Sequence, residues 1–225
     1  MGEATLFGKE DEYPLGKEQK ERIEKLKILN QYAQKGQILF TGSSLMEQFP
    51  INEILMTKGC SYHIYNRGVS GFTTTDMLRY MDTMVFDLEP SKIFINIGTN
   101  DIGAADYVEE RLLDNYSEIL MQMKQRLPQT KIYVMAYYPV NETDKVLECE
   151  QGEDAFINRN NRNIQKANQK LAQLARKMEL QYIDVNDGLR DEKGKLKKEY
   201  TVEGIHMYAN AYYVIFQNME QYICL

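Results

Sequence analysis

Two histidines are all that this 225-residue chain offers, so a reaction that needs an imidazole has only two places to find one. Cysteine is nearly as scarce. Cys60, Cys149 and Cys224 have no metal-type spacing, and an odd count suits a reducing cytoplasm better than a disulfide scaffold. Tryptophan is absent. Positive charge is in deficit, with 27 Lys and Arg against 33 Asp and Glu and a net charge of −6. Nucleic-acid binding requires a basic face, so that class of partner is set aside. The one basic run, Lys193 to Lys198, lies among glutamates and reads as a solvated loop. Long apolar runs are missing too. None approaches the roughly 20 residues that a membrane-spanning helix needs. The N-terminal stretch MGEATLFGKEDEYPLG is acidic and lacks the basic start and apolar run of a secretory leader. Leu6 stands where an N-myristoylation pattern needs Ser or Thr. The expectation is a cytoplasmic protein without a stable membrane anchor.

What is present is an alternation of strand and helix patterns. A helix starts at Lys17 with Ile23, Leu26, Leu29 and Tyr32 as its apolar stripe, and Gly36 stops it. QILF reads as a buried strand, NEILMTKG as a short helix closed by Gly59, and YHIYN as a second strand that begins near His63. Thr73, Thr74 and Thr75 are N-cap candidates for a helix through Met77, Leu78, Tyr80 and Met81. KIFINIG is a third strand, apolar enough to be covered on both faces. A long amphipathic helix ends at Pro128, and KIYVMAYYP is the fourth strand. The helix within EDAFINRNNRNIQKANQKLAQLARKMEL has Ile164, Leu171, Leu174 and Ala175 as its inner stripe. QYIDV gives a short fifth strand, and ANAYYVIFQNMEQYI a closing helix. Such alternation calls for a parallel sheet with helices on both faces and right-handed crossovers. No repeat or linker divides the chain, so one domain over residues 1–225 is expected, with 1–14 as an extension. The acidic stretch from Pro139 to Asp154 reads as a long loop, of the kind that forms lids or binding loops or is disordered.

In open parallel sheets ligands bind beyond the carboxyl ends of the strands. The first strand ends in Gly42, Ser43 and Ser44, the second in NRGVSGF, and the third in Gly98, Thr99, Asn100 and Asp101. Past the fifth strand come Glu203 and His206. A hydroxyl at a strand-to-helix turn is either an N-cap or a nucleophile, and a serine nucleophile needs a base. His63 lies at the opposite end of its strand and suits a surface role. His206 can reach the rim, and a carboxylate three residues before it can hold the imidazole in one tautomer. E-x-x-H is also half of a metal site, but the chain has no histidine or cysteine cluster to complete one. The backbone N–H groups of Ser44 and Gly71 and the Asn100 amide are candidate donors for an oxyanion. Each such donor, fixed in a dry site, is worth on the order of 3 kcal/mol. Ser70 is a rival serine. Neither it nor Ser44 has the G-x-S-x-G elbow of α/β-hydrolases, because Phe72 and Met46 take the last position.

Four blocks, TGSSL (Thr41 to Leu45), NRGVSG (Asn66 to Gly71), GTND (Gly98 to Asp101) and EGIH (Glu203 to His206), occur in the order in which they occur in the SGNH (GDSL-type) hydrolases. The chain resembles that family of serine esterases and lipases. The resemblance implies a flavodoxin-like three-layer α/β/α fold with a five-stranded parallel sheet in the order 2-1-3-4-5. It also implies Ser44 as nucleophile, His206 as base and Glu203 as orienting acid, with Ser44, Gly71 and Asn100 forming the oxyanion hole. The expected reaction is hydrolysis of a small carboxylic ester through an acyl-enzyme, with no metal or organic cofactor required. Two positions depart from the family pattern. Ser43 stands where the first block usually has Asp, and Glu203 stands where the last usually has Asp. These departures motivate an alternative, a non-catalytic ligand-binding domain on the same fold. A phosphate cradle at TGSS lacks the lysine and glycine spacing of a P-loop. Small acyl esters, acetylated sugars and lysophospholipids all remain open as substrates. Tyr137 and Tyr138 read as packing residues or as the border of the pocket.

Overall fold

The computed structural model describes residues 14–144 and 152–224. The N-terminal extension up to residue 13, Cys149 and positions 145–151 of the acidic loop lie outside the described residues. Five strands form one parallel sheet in the order β2-β1-β3-β4-β5. They are β1 (Ile38–Gly42), β2 (Ile64–Gly68), β3 (Lys92–Asn96), β4 (Lys131–Met135) and β5 (Gln181–Ile183). The expected sheet and strand order are therefore the observed ones.

Alternate residues of each strand serve opposite faces, as the pleat requires. Leu39, Ile93, Ile95, Ile132 and Val134 face one core, while Ile38, Phe40, Phe94, Tyr133 and Met135 face the other. The first core is closed by α1 (Lys17–Asn30), α4 (Thr74–Arg79), α5 (Met81–Met84), α7 (Glu109–Arg126) and α8 (Asn161–Lys177). The second is closed by α2 (Ser44–Glu47), α3 (Ile51–Thr57) and α9 (Ala209–Cys224). A further short helix, α6 (Thr99–Gly103), follows β3 and gives Ile102 to the first core. With both faces covered, the central strands carry almost no solvent exposure. Among the described residues, no helix is long and apolar enough to cross a membrane.

Several boundaries differ from the sequence expectation. Helix α1 ends at Asn30, not at Gly36, and Leu29 and Tyr32 are 51% and 82% exposed. A step of three residues falls about 60° short of a full turn, so a strict three-residue series drifts off the buried face. The buried series is Ile23, Leu26, Asn30. Asn30 belongs there because its Oδ1 accepts from Nε of buried Arg67 at 2.8 Å and its Nδ2 donates to the Thr83 carbonyl at 2.9 Å. Strand β2 starts one residue after His63, which is exposed. The helix expected from Met77 to Met81 breaks at Tyr80 into α4 and α5. Helix α8 begins at Asn161, where Asn160 caps it by accepting from the Asn163 N–H. Leu174 is only partly buried, and Ala167 and Asn168 join the inner stripe in its place. Tyr137 and Tyr138 are both core residues.

Helices α4 and α6 are joined by one carboxylate. The Asp101 carboxylate accepts from the N–H of Thr74 at 3.0 Å and from the Thr74 hydroxyl. Burial raises the Asp101 carboxyl from its ordinary 3.8 to about 6, although the hydrogen bonds from Thr74 work in the other direction. The folded carboxyl thus keeps its proton to higher pH than the unfolded one. Its contribution to stability is full below the unfolded value and declines as pH rises through that window. A difference of this size is worth about 3 kcal/mol. Asp101→Asn should therefore gain on the wild type by up to about 3 kcal/mol between pH 4 and pH 7. Denaturant unfolding of both proteins across that range measures it, and a pH-independent difference would contradict the assignment.

Candidate active site

The site grows from the turn between β1 and α2. Gly42 has φ of +151°, and a Cβ placed there would stand 1.9 Å from the carbonyl oxygen of Asn96. A Cβ on Gly68 would stand 2.2 Å from the backbone nitrogen of Glu47. These two glycines let the chain turn within a single peptide and let α2 rest on the ends of the neighbouring strands. Asn66 completes the seat: its Nδ2 donates to the Met46 carbonyl, and its Oδ1 accepts from the Gly68 N–H at 2.9 Å. Ser43 occupies the N-cap position, with no capping bond from its side chain. Ser44 is the first residue of the helix and is 7% exposed. Neither hydroxyl of the pair is therefore used as a cap.

His206 and Glu203 come from the loop that precedes α9. The His206 carbonyl accepts from the Val202 N–H at 2.9 Å and the Thr201 hydroxyl at 2.8 Å. Gly204 has φ of +101°, and its carbonyl accepts from the Asn141 N–H at 2.8 Å. A Cβ on Gly204 would lie 2.6 Å from the Asn141 carbonyl oxygen, so the loop is fixed against the segment that leaves β4. Within it, Glu203 Oε1 bonds both the backbone N–H of His206, at 3.1 Å, and the ring Nδ1. The other ring nitrogen, Nε2, is 3.0 Å from Ser44 Oγ. A carboxylate, an imidazole and a hydroxyl therefore form one hydrogen-bonded chain. Burial works to raise the Glu203 carboxyl, but the hydrogen bond and charge of His206 outweigh it and leave the group below its ordinary value. Glu203 Oε2 is buried and has no hydrogen-bond partner among the described residues. Burial, helped by the charge of Glu203, pushes the Tyr212 hydroxyl well up, and that hydroxyl donates to the Leu45 carbonyl at 3.0 Å.

The two middle blocks lie against one another. Asn100, the second residue of α6, donates from Nδ2 to the Phe72 carbonyl at 2.9 Å, one residue past Gly71. Its Oδ1 accepts from Arg159 Nη2 at 3.1 Å, and Arg159 Nε donates to the Thr99 carbonyl at 3.1 Å. Gly103 makes room for this guanidinium, since a Cβ there would be 2.2 Å from Nη2. An open cleft of about 290 Å³ lies alongside, lined by Asn100, Gly103, Ala104, Asp154, Ala155 and Arg159. Ser70, the rival serine, gives its hydroxyl to Glu47 Oε2 at 2.6 Å. Among the described residues, no three His, Cys, Asp or Glu side chains are grouped as metal ligands would be. Sequence reasoning missed Arg159, Glu47 and the part played by Asn66. Asn66 sits inside a recognisable block, whereas the other two carry no signal of spacing or composition.

Comparison with known proteins gives the chain's family and fold. The model of the GDSL-like Lipase/Acylhydrolase family matches residues 52–214, a span that starts after Ser44 and includes Gly71, Asn100, Glu203 and His206. A solved structure from Streptococcus pneumonia, given as a candidate platelet activating factor, is 33% identical, with TM-score 0.82, covering 92% of this chain and 93% of that one. A GDSL-like lipase from Bacteroides thetaiotaomicron shares the fold at 20% identity and TM-score 0.72, covering 89% of this chain and 96% of that one. An N-acylneuraminate cytidylyltransferase of Escherichia coli is 25% identical over 187 residues. That match takes in 83% of this chain but 40% of the relative, so this chain corresponds to less than half of that protein. The family match covers more than half of the sequence, and the chain belongs to the GDSL-like lipase/acylhydrolase family of ester hydrolases.

Proposed function

We propose that the chain hydrolyses small carboxylic esters through an acyl-enzyme on Ser44, with His206 as general base and Glu203 as the acid that orients it. The observation that supports this best is the 3.0 Å approach of His206 Nε2 to Ser44 Oγ, with Nδ1 held by Glu203. As Ser44 Oγ attacks the ester carbonyl, its proton passes to Nε2. The carbonyl oxygen becomes an oxyanion that accepts from the N–H groups of Ser44 and Gly71 and from the Asn100 amide. The imidazolium returns the proton to the departing alkoxide, and the C–O bond to the alcohol breaks. Water then gives a proton to Nε2 and adds to the acyl carbon. Ser44 leaves with that proton, and the carboxylic acid is released. Glu203 keeps its negative charge throughout and stabilises the imidazolium. Its lowered carboxyl suits that role. The longer Glu side chain reaches Nδ1 while Oε1 also holds the His206 N–H, so the replacement of the family's usual aspartate leaves the contact in place.

Ser44→Ala should lower kcat by at least about 10³-fold on a p-nitrophenyl acetate-type ester. The thermal midpoint should change little, because alanine is an excellent residue for the first turn of a helix. A folded Ser44→Ala protein with full turnover would refute the nucleophile.

Glu203→Gln should reduce kcat roughly 10²- to 10⁴-fold without abolishing it. Its kcat/KM should fall together with kcat, because the interaction is made in the transition state. An unchanged kcat would show that Glu203 does not orient the base.

A further inference from the structure

Ser70 and Gly71 are the central residues of a tight turn whose geometry decides where one backbone N–H points. The Phe72 N–H donates to the Val69 carbonyl at 3.2 Å across this turn. Gly71 has φ of +76°, and Ser70 is not among the residues with positive φ. That combination is a type II turn. A type I turn differs from it mainly by a flip of the central peptide, which here joins Ser70 to Gly71. In a planar trans peptide the C=O and N–H point in opposite directions. Whatever fixes the Ser70 carbonyl therefore fixes the Gly71 N–H.

Every polar group of Ser70 is held. Its carbonyl accepts from Gln19 Nε2 at 3.1 Å. Its N–H and its hydroxyl both donate to Glu47 Oε2 at 2.6 Å. The holders are themselves oriented. Gln19 Oε1 accepts from the Gly16 N–H at 3.0 Å, at the start of α1, which leaves Nε2 to face Ser70. Glu47 Oε1 pairs with Arg22 Nε at 3.1 Å, and Arg22 also donates to the Gly68 carbonyl. A Cβ on Gly71 would stand 2.8 Å from Gln19 Nε2, so the turn and the amide are fitted to each other. Gln19 and Glu47 lie outside the family-matched residues 52–214, so the match itself gives them no role.

We infer that Gln19 is a positioning residue for the reaction: with Glu47 it clamps the Ser70–Gly71 peptide in the type II state, which turns the Gly71 N–H away from α1 and makes it available to the oxyanion. The inference rests on the proposed role of Gly71 as an oxyanion donor. In the flipped peptide the same N–H would point at α1 and the carbonyl oxygen would take its place, replacing a donor with an acceptor. The clamp acts on a charge that develops in the transition state, so its loss lowers kcat and leaves KM nearly unchanged.

Two substitutions separate this role from simple capping of α1. Gln19→Glu keeps an acceptor for the Gly16 N–H and adds negative charge at a helix N-terminus, which favours the helix. It also sets an oxygen against the Ser70 carbonyl. The expected result is an unchanged or raised thermal midpoint with kcat lower by about tenfold or more, against 10²- to 10³-fold for complete loss of an oxyanion donor. Gln19→Lys restores a donor but removes the cap, and should retain more kcat than Gln19→Glu despite a lower midpoint. A Gln19→Glu protein with wild-type kcat, or activities that simply follow the midpoints, would overturn the clamp. Wild-type protein assayed in parallel separates the two readings. If the wild type neither hydrolyses esters nor reacts with a fluorophosphonate at Ser44, the proposed function fails. If it does both and Gln19→Glu matches it, the clamp alone fails.

Discussion

The contact on which the site depends joins His206 Nε2 to Ser44 Oγ, two residues 162 positions apart in the chain. Neither end of it is free to adjust. Ser44 sits on the first turn of a four-residue helix wedged against the ends of β1 and β2, and His206 sits in a loop bonded to the segment after β4. Bringing both to one point requires the parallel sheet, because only parallel strands deliver all their carboxyl ends to the same rim. The sheet in turn requires a covering of helices on both faces. Two apolar cores supply it, one on each side. Exposed ion pairs such as Arg126–Asp82 and Lys17–Glu21 contribute at most about 1 kcal/mol each and do not decide the architecture.

Close backbone approach is the second constraint. At Gly42 and Gly68 a single methyl group would overlap backbone atoms of Asn96 and Glu47, which have no rotamer by which to escape. The position of Ser44 is therefore set by what is missing from its neighbours. The polar side chains around it serve the same end. Asn66 ties α2 to β2, Glu47 ties α2 to the turn that carries Gly71, and Arg159 fixes the Asn100 amide that reaches the same turn. Rigid first contacts of this kind are what preorganised electrostatic catalysis needs, since donors already in place cost no reorganisation when charge develops.

Much of this was legible in the sequence, for physical reasons. Strands buried on both faces must be continuously apolar, so KIFINIG and QILF announce themselves. Their alternation with amphipathic segments leaves few topologies. Ser44, Gly71 and Asn100 follow strand ends and Glu203 and His206 lie in the loop before the last helix, so a parallel sheet lets all five be expected on one rim. The ends of elements were less legible. Asn30 lies on the buried stripe of α1 only because Arg67 and Thr83 meet it, and no local pattern reports partners so distant in the chain. Gln19, Glu47 and Arg159 were invisible for the same reason. Each looks like an ordinary polar helix or loop residue until the tertiary structure shows what it holds.

Treatment with a fluorophosphonate, followed by peptide mapping, tests the central contact most directly, because only a serine whose proton has an acceptor reacts quickly. The wild-type protein should carry one adduct, on Ser44, and His206→Ala should lose it under the same conditions while remaining folded. An unlabelled wild type, a label on Ser70, or undiminished labelling of the His206→Ala protein would contradict the account.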